Sequence, residues 1–114
     1  MLPEKKENSE LSTHRFNKEI IEAVIAQLEK DVMMCGGDLK ITEASYTDLE
    51  LLKEEVQKYL SSVSDKNPTL LFNLLYRIDI PQKMLDQKNG SLGTLVLKRE
   101  LTKVLIRISY KKSD

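Results

Sequence analysis

The stretch NPTLLFNLLYRIDIP, residues 67–81, decides the fold. Asn67 and Pro68 read as a helix start: asparagine accepts a backbone N–H there, and proline at the first helical position lacks only an N–H that has no helical partner anyway. Pro81 sets the far limit, because proline disfavours helical geometry at the residue before it, here Ile80. Between these marks Leu70, Leu71, Phe72, Leu74, Leu75, Tyr76 and Ile78 project in nearly every direction around the helix. A helix that is apolar all round is expected to be a buried one. This segment is therefore read as the central element of a helical domain.

Three polar residues interrupt it. Asn73 and Arg77 are four apart and share one face, and Asp79 stands at the end. A buried guanidinium needs a partner, since an unpaired buried charge is very costly. Arg77 is expected to pair with a carboxylate, or to reach the helix end, and so to fix the register of the bundle. The competing reading makes Asn73, Arg77 and Asp79 a polar spot that orients a ligand or partner peptide in an apolar groove.

Outward from this segment the pattern stays helical. On the N-terminal side, Leu49, Leu52, Val56, Tyr59, Leu60 and Val63 form one narrow stripe of a helix that starts near Thr42 or Thr47. Thr47 and Glu50 have the spacing of a capping box. Residues 61–66 read as a turn. Further upstream, Phe16, Ile20, Val24 and Leu28 recur at spacing four, with Ile21, Ile25 and Val32 widening the stripe of a helix over residues 15–34. Gly36 and Gly37 end it. Residues 38–46 form a connector with a short extended stretch around Leu39 and Ile41. On the C-terminal side, residues 82–87 predict a short helical turn and residues 91–111 a last helix with Leu97, Leu101, Val104, Leu105 and Ile108 as its core stripe. Leu92, Leu95, Val96 and Ile106 lie off that stripe.

The expected fold is all-α: a compact antiparallel bundle of four main helices with short loops, one extra helical turn after Pro81, a disordered tail over residues 1–13, and a single domain over residues 14–114. The whole chain has 114 residues, which fits one domain. Its 40% hydrophobic and 32% charged residues suit a globular chain and argue against disorder throughout.

Composition narrows function mainly by exclusion. Lys and Arg number 18, as do Asp and Glu, so the net charge is zero and a bulk polyanion binder is not expected. Charge is nevertheless uneven. The last helix carries Lys98, Arg99, Lys103, Arg107, Lys111 and Lys112 against Glu100 alone, whereas residues 38–55 are acidic. Either these fields cancel or are solvated, or the face of Arg99, Lys103 and Arg107 meets an acidic partner or nucleic acid. Such contacts would be salt-sensitive and blind to sequence, and no base-reading helix is recognisable.

One histidine, His14, and one cysteine, Cys35, leave no zinc or di-iron spacing. No glycine pattern matches a phosphate loop; Asn89, Gly90 and Ser91 read as a turn with Ser91 as cap, although N–H groups at a helix start can also receive an anion. A nucleophile would have only His14 as base. No cofactor is expected, and an enzyme is not expected. The single cysteine favours a reducing, cytoplasmic compartment. The most apolar stretch, residues 70–80, is far short of the roughly 20 residues that span a bilayer, so no membrane segment is expected. What remains is a non-enzymatic interaction or regulatory module that presents surplus apolar positions of its first and last helices to a protein partner or to a second copy. The alternative is a small-ligand carrier using the core near Asn73 and Arg77.

Overall fold

All the described apolar positions of the first stripe are buried: Ile20, Ile21, Val24, Ile25, Leu28 and Val32. They lie on α1, Lys18–Met34. The computed structural model describes residues 18–80 and 91–113, with side chains as far as Ser109. The expected tail, His14 and the helical turn after Pro81 lie outside these residues. Helix α1 stops at Gly36, whose φ of 92° is the left-handed conformation that a side chain disfavours. The N–H of Gly37 reaches Val32 O at 2.9 Å and that of Gly36 reaches Met33 O at 3.0 Å, so the last carbonyls find donors.

The connection that follows, residues 35–48, is longer than the short loops expected, and no strand occurs among the described residues. Its backbone is held by carboxylates from both flanking helices instead of by a sheet. Glu29 Oε2 accepts from Ile41 N at 2.8 Å. Glu55 accepts from Thr42 Oγ1 at 2.9 Å, Thr42 N at 3.1 Å and Ser45 Oγ at 2.7 Å. Burial pushes the Glu55 carboxyl up, but the bonds from Ser45 and Thr42 outweigh it and hold it below its ordinary value. A single 3-10 turn, Glu43–Tyr46, sits over these anchors.

Helix α2 is Leu49–Lys66. Asp48, not Thr47 or Thr42, is its cap: Oδ1 accepts from Glu50 N at 3.1 Å and Leu51 N at 3.3 Å. The turn expected at residues 61–66 is helical. Those polar residues are simply its solvated last turns, because a polar run does not stop a helix that contains no glycine or proline. The inward stripe Leu49, Leu52, Val56, Leu60 and Val63 is as expected, with Tyr59 half-buried beside it.

Helix α3, Pro68–Ile78, starts as its sequence dictates, with Asn67 Oδ1 accepting from Leu70 N at 3.1 Å. It ends at Asp79, which takes the left-handed conformation (φ 72°) while Ile80 N reaches back to Leu75 O at 3.0 Å. The central placement expected for this helix is wrong. Only Leu70, Leu74 and Ile78 are buried, and Phe72 and Tyr76 are exposed. An apolar wheel shows what a helix could bury, not which side its neighbours will cover. This eleven-residue helix touches all three other helices, but they cover only the side that carries Leu70, Leu74 and Ile78.

The central element is α4, Leu92–Ser113, whose packing against α1 and α2 is the most extensive between any two helices. Leu95, Val96, Leu97, Glu100, Leu101 and Val104 are buried on it. Of the positions off the stripe, Leu95 and Val96 cover a second neighbour inside the bundle, whereas Ile106 is exposed. Ser91 caps the helix, its Oγ accepting from Thr94 N at 3.1 Å. The N–H of Gly93 is taken by Gln57 Oε1 of α2 at 2.7 Å, so this helix start is closed by the protein's own side chains. Gln27 meets Arg107 and, one turn later, Asp31 meets Lys103, so α1 and α4 run antiparallel. The protein is an all-α helical bundle.

Candidate functional site

Polar groups converge where α1, α3 and α4 meet. Asp31 of α1 is fully buried, and it is fully engaged. Oδ1 accepts from Arg77 Nε of α3 at 2.8 Å and from Gln27 Nε2 at 3.1 Å; Oδ2 accepts from Lys103 Nζ of α4 at 3.0 Å. Gln27 in turn accepts from Arg107 Nη2 at 3.0 Å. Burial pushes the Asp31 carboxyl up, but the neighbouring Glu100 carboxyl and the bonds from Lys103 and Arg77 overcome it and hold Asp31 below its ordinary range. Asp31 is therefore an anion at neutral pH.

Glu100 of α4 behaves in the opposite way. It is also fully buried, and neither of its oxygens has a hydrogen-bond donor. Lys103 Nζ stands 3.4 Å from Oε1, close enough for attraction but not in hydrogen-bond geometry. Burial, followed by the neighbouring Asp31, pushes the Glu100 carboxyl up to about 8. The chemistry is consistent with this. A carboxylate can only accept, and here it lacks donors; a neutral carboxylic acid needs none and is not repelled by the neighbouring Asp31 anion.

The residues singled out from the sequence fall as follows. Arg77 pairs with a carboxylate, as the structural reading expected, and it ties α3 to α1. Asn73 is exposed and does not share that site. Asp79 receives Arg99 Nη2 at 3.3 Å. Arg99, Lys103 and Arg107, the basic face expected to meet a partner, each turn to a partner within the chain: Arg99 to Asp79, Lys103 to Asp31 and Glu100, Arg107 to Gln27. Two of these three charges, those of Arg99 and Lys103, are thus answered by carboxylates of α3 and α1. Cys35 is half-buried, and among the described residues no three of His, Cys, Asp and Glu group as a metal ion would need.

Asp31 and Glu100 were not selected from the sequence, although a signal existed. Asp31 lies three residues after Leu28 and seven after Val24. Glu100 lies three after Leu97 and four before Val104. Each is a charged residue at core spacing, on the stripe itself. Replacing Arg77 with alanine is expected to cost about 1.5 kcal/mol, the low end for a hydrogen bond to a charged group, because its side chain is 37% exposed. That corresponds to a fall of roughly 5 °C or more in the thermal midpoint. An unchanged midpoint would contradict a structural role for the pair.

A second feature lies on the outer face of α3. Phe72 is 69% exposed and Tyr76 is 82% exposed, the two most exposed large apolar side chains among the described residues. They stand one helical turn apart, with Asn73 between them. Neither aromatic lines either of two grooves on the surface. One groove, of about 360 Å³, runs between α1 and α4 past Ala23, Ala26, Gln27 and Arg107. The other, of about 720 Å³, runs past Glu50, Glu54, Gln57 and Ser91. Asn73 and Arg77 line neither groove. No described helix is long and apolar enough to cross a membrane. Compared with known proteins, the chain matches no family model, no curated protein and no solved structure.

Proposed function

We propose that the protein is a non-enzymatic interaction module whose contact face is the outer side of α3, and that its occupant is a second copy of the same chain. The observation that supports this is the exposed pair Phe72 and Tyr76. Single exposed apolar residues are ordinary. Two large aromatics stacked at i, i+4 form a continuous strip, and aromatic side chains are the usual anchors of interfaces. The strip is self-complementary: two α3 helices crossing about a two-fold axis place Phe72 of each against Tyr76 of the other. The zero net charge of the chain opposes no approach between copies.

The small-ligand alternative required Asn73 and Arg77 to face a shared cavity. Arg77 Nε is instead engaged by Asp31 and Asn73 is exposed, so the interaction reading is preferred. The proposed compartment is a reducing one, in keeping with the lone Cys35.

Sedimentation velocity over a concentration series tests the reading. The wild-type chain is expected to show a concentration-dependent dimer. The double variant Phe72→Ser, Tyr76→Ser is expected to remain a monomer with unchanged helical content. A wild-type chain that stays monomeric into the millimolar range, or a variant that dimerises equally well, overturns it.

A further inference from the structure

We propose that the buried carboxyls Asp31 and Glu100 form a proton-linked latch between α1 and α4, closed while the pair holds one proton and loosened when that proton is lost. The geometry carries this. Both side chains are fully buried, they come from the antiparallel helices α1 and α4, both lie within 3.4 Å of the same Lys103 Nζ, and Glu100 has no donor for either oxygen. A single proton turns two repelling carboxylates into one charge-assisted hydrogen bond.

The charged groups around the pair are few. From α4 itself, Lys103 lies 3.0 Å from Asp31 and 3.4 Å from Glu100. From α3, Arg77 reaches Asp31 at 2.8 Å, and Asp79 is occupied by Arg99. From α1, Gln27 is the other polar neighbour. The inward stripe of α2 (Leu49, Leu52, Val56, Leu60 and Val63) is apolar and offers no charge. With Glu100 neutral, Asp31 alone answers Arg77 and Lys103. With Glu100 ionised, a second buried anion must share Lys103.

The direction follows by linkage. Glu100 has an ordinary value of 4.5 and a folded value of about 8, so the stability it contributes is complete below 4.5, is lost as pH rises, and levels off above about 8. Asp31 is shifted the other way, so its contribution is present above its ordinary 3.8 and is lost as pH falls through the lowered value.

Urea unfolding of the wild type and of Glu100→Gln from pH 5 to 9 tests the latch, since glutamine keeps the shape and a donor but cannot ionise. The wild-type unfolding constant is expected to rise by up to about tenfold per pH unit below 8, the slope of one linked proton. The Glu100→Gln slope is expected to be shallower by that one proton. Equal slopes overturn the proposal. Should Glu100→Gln not fold, carboxyl ¹³C titration of the wild-type chain decides: Glu100 titrating between about 7 and 9 supports the latch, and Glu100 already ionised at pH 6 overturns it.

Discussion

Asp31→Ala will lower the unfolding free energy by about 3 kcal/mol, because it removes one partner of a buried charge cluster and leaves the others behind. Three donors lose their acceptor at once: Arg77 Nε, Gln27 Nε2 and Lys103 Nζ. Arg77 and Lys103 are each about a third exposed and can turn toward water, which sets the figure at the lower end for a broken buried pair. Glu100 stays fully buried beside the vacated position. Urea denaturation at pH 7 measures the loss. The control is Asp79→Asn, which keeps a residue type that tolerates the left-handed conformation but removes an ion pair whose carboxylate is 84% exposed. Such pairs contribute about 1 kcal/mol at most, so the two variants should differ clearly although each deletes one aspartate with arginine as partner. A loss for Asp31→Ala as small as that of Asp79→Asn would mean that the cluster does not hold the three helices together.

Gly93→Val will cost about 3 kcal/mol, the upper part of the range for overpacking. A Cβ at residue 93 would lie 3.0 Å from Gln57 N and 3.2 Å from Gln57 Cα, atoms of the α2 backbone that cannot rotate aside. Alanine would meet the same wall, but it recovers up to about 1 kcal/mol of helix propensity relative to glycine. Gly93→Ala is therefore expected to be nearly neutral, while valine adds two methyls to the clash and no such recovery. Thermal unfolding of both variants checks the contrast. Equal midpoints would show that α2 and α4 separate freely at this crossing. The bond from Gly93 N to Gln57 Oε1 at 2.7 Å depends on the same close approach.

The parts of the fold legible in the sequence are those with local causes. Asn67 and Pro68 start α3 because a cap and a fixed φ need no distant partner, and Gly36 ends α1 for the same reason. The stripe of α2 is legible because a narrow stripe has one way to face. The cap of α2 is Asp48 and not Thr47 or Thr42, since all three are good caps and only the backbone decides between them. Residues 61–66 look like a turn but are helical, because polarity marks exposure, not helix termination. The burial of α3 is the least legible part. Its apolar wheel is real, but which side of it the other helices cover is a property of the whole assembly.

The candidate site was legible in one member. Arg77 was singled out as needing a carboxylate, and it has one. The identity of that carboxylate could not be read, because residues 31 and 77 belong to helices whose relative placement no local rule fixes. Glu100 was hidden among the basic residues of its helix, where it counted as one acid against six cations. Its position on the stripe Leu97, Leu101 and Val104 was the clue that bulk charge obscured.

The bonds that close the cluster join residues 72 and 80 positions apart, Asp31 to Lys103 and Gln27 to Arg107. This has a consequence for how the chain acquires its shape during synthesis. When α1, α2 and α3 have left the ribosome, Asp31 still lacks its lysine and the apolar faces of all three lack the helix they enclose. Until α4 emerges the nascent chain displays greasy, incompletely neutralised surface, the condition in which chaperones engage a polypeptide. Folding of the bundle is thus gated by α4, and a ribosome stalled before residue 92 would carry helices that cannot yet close around it.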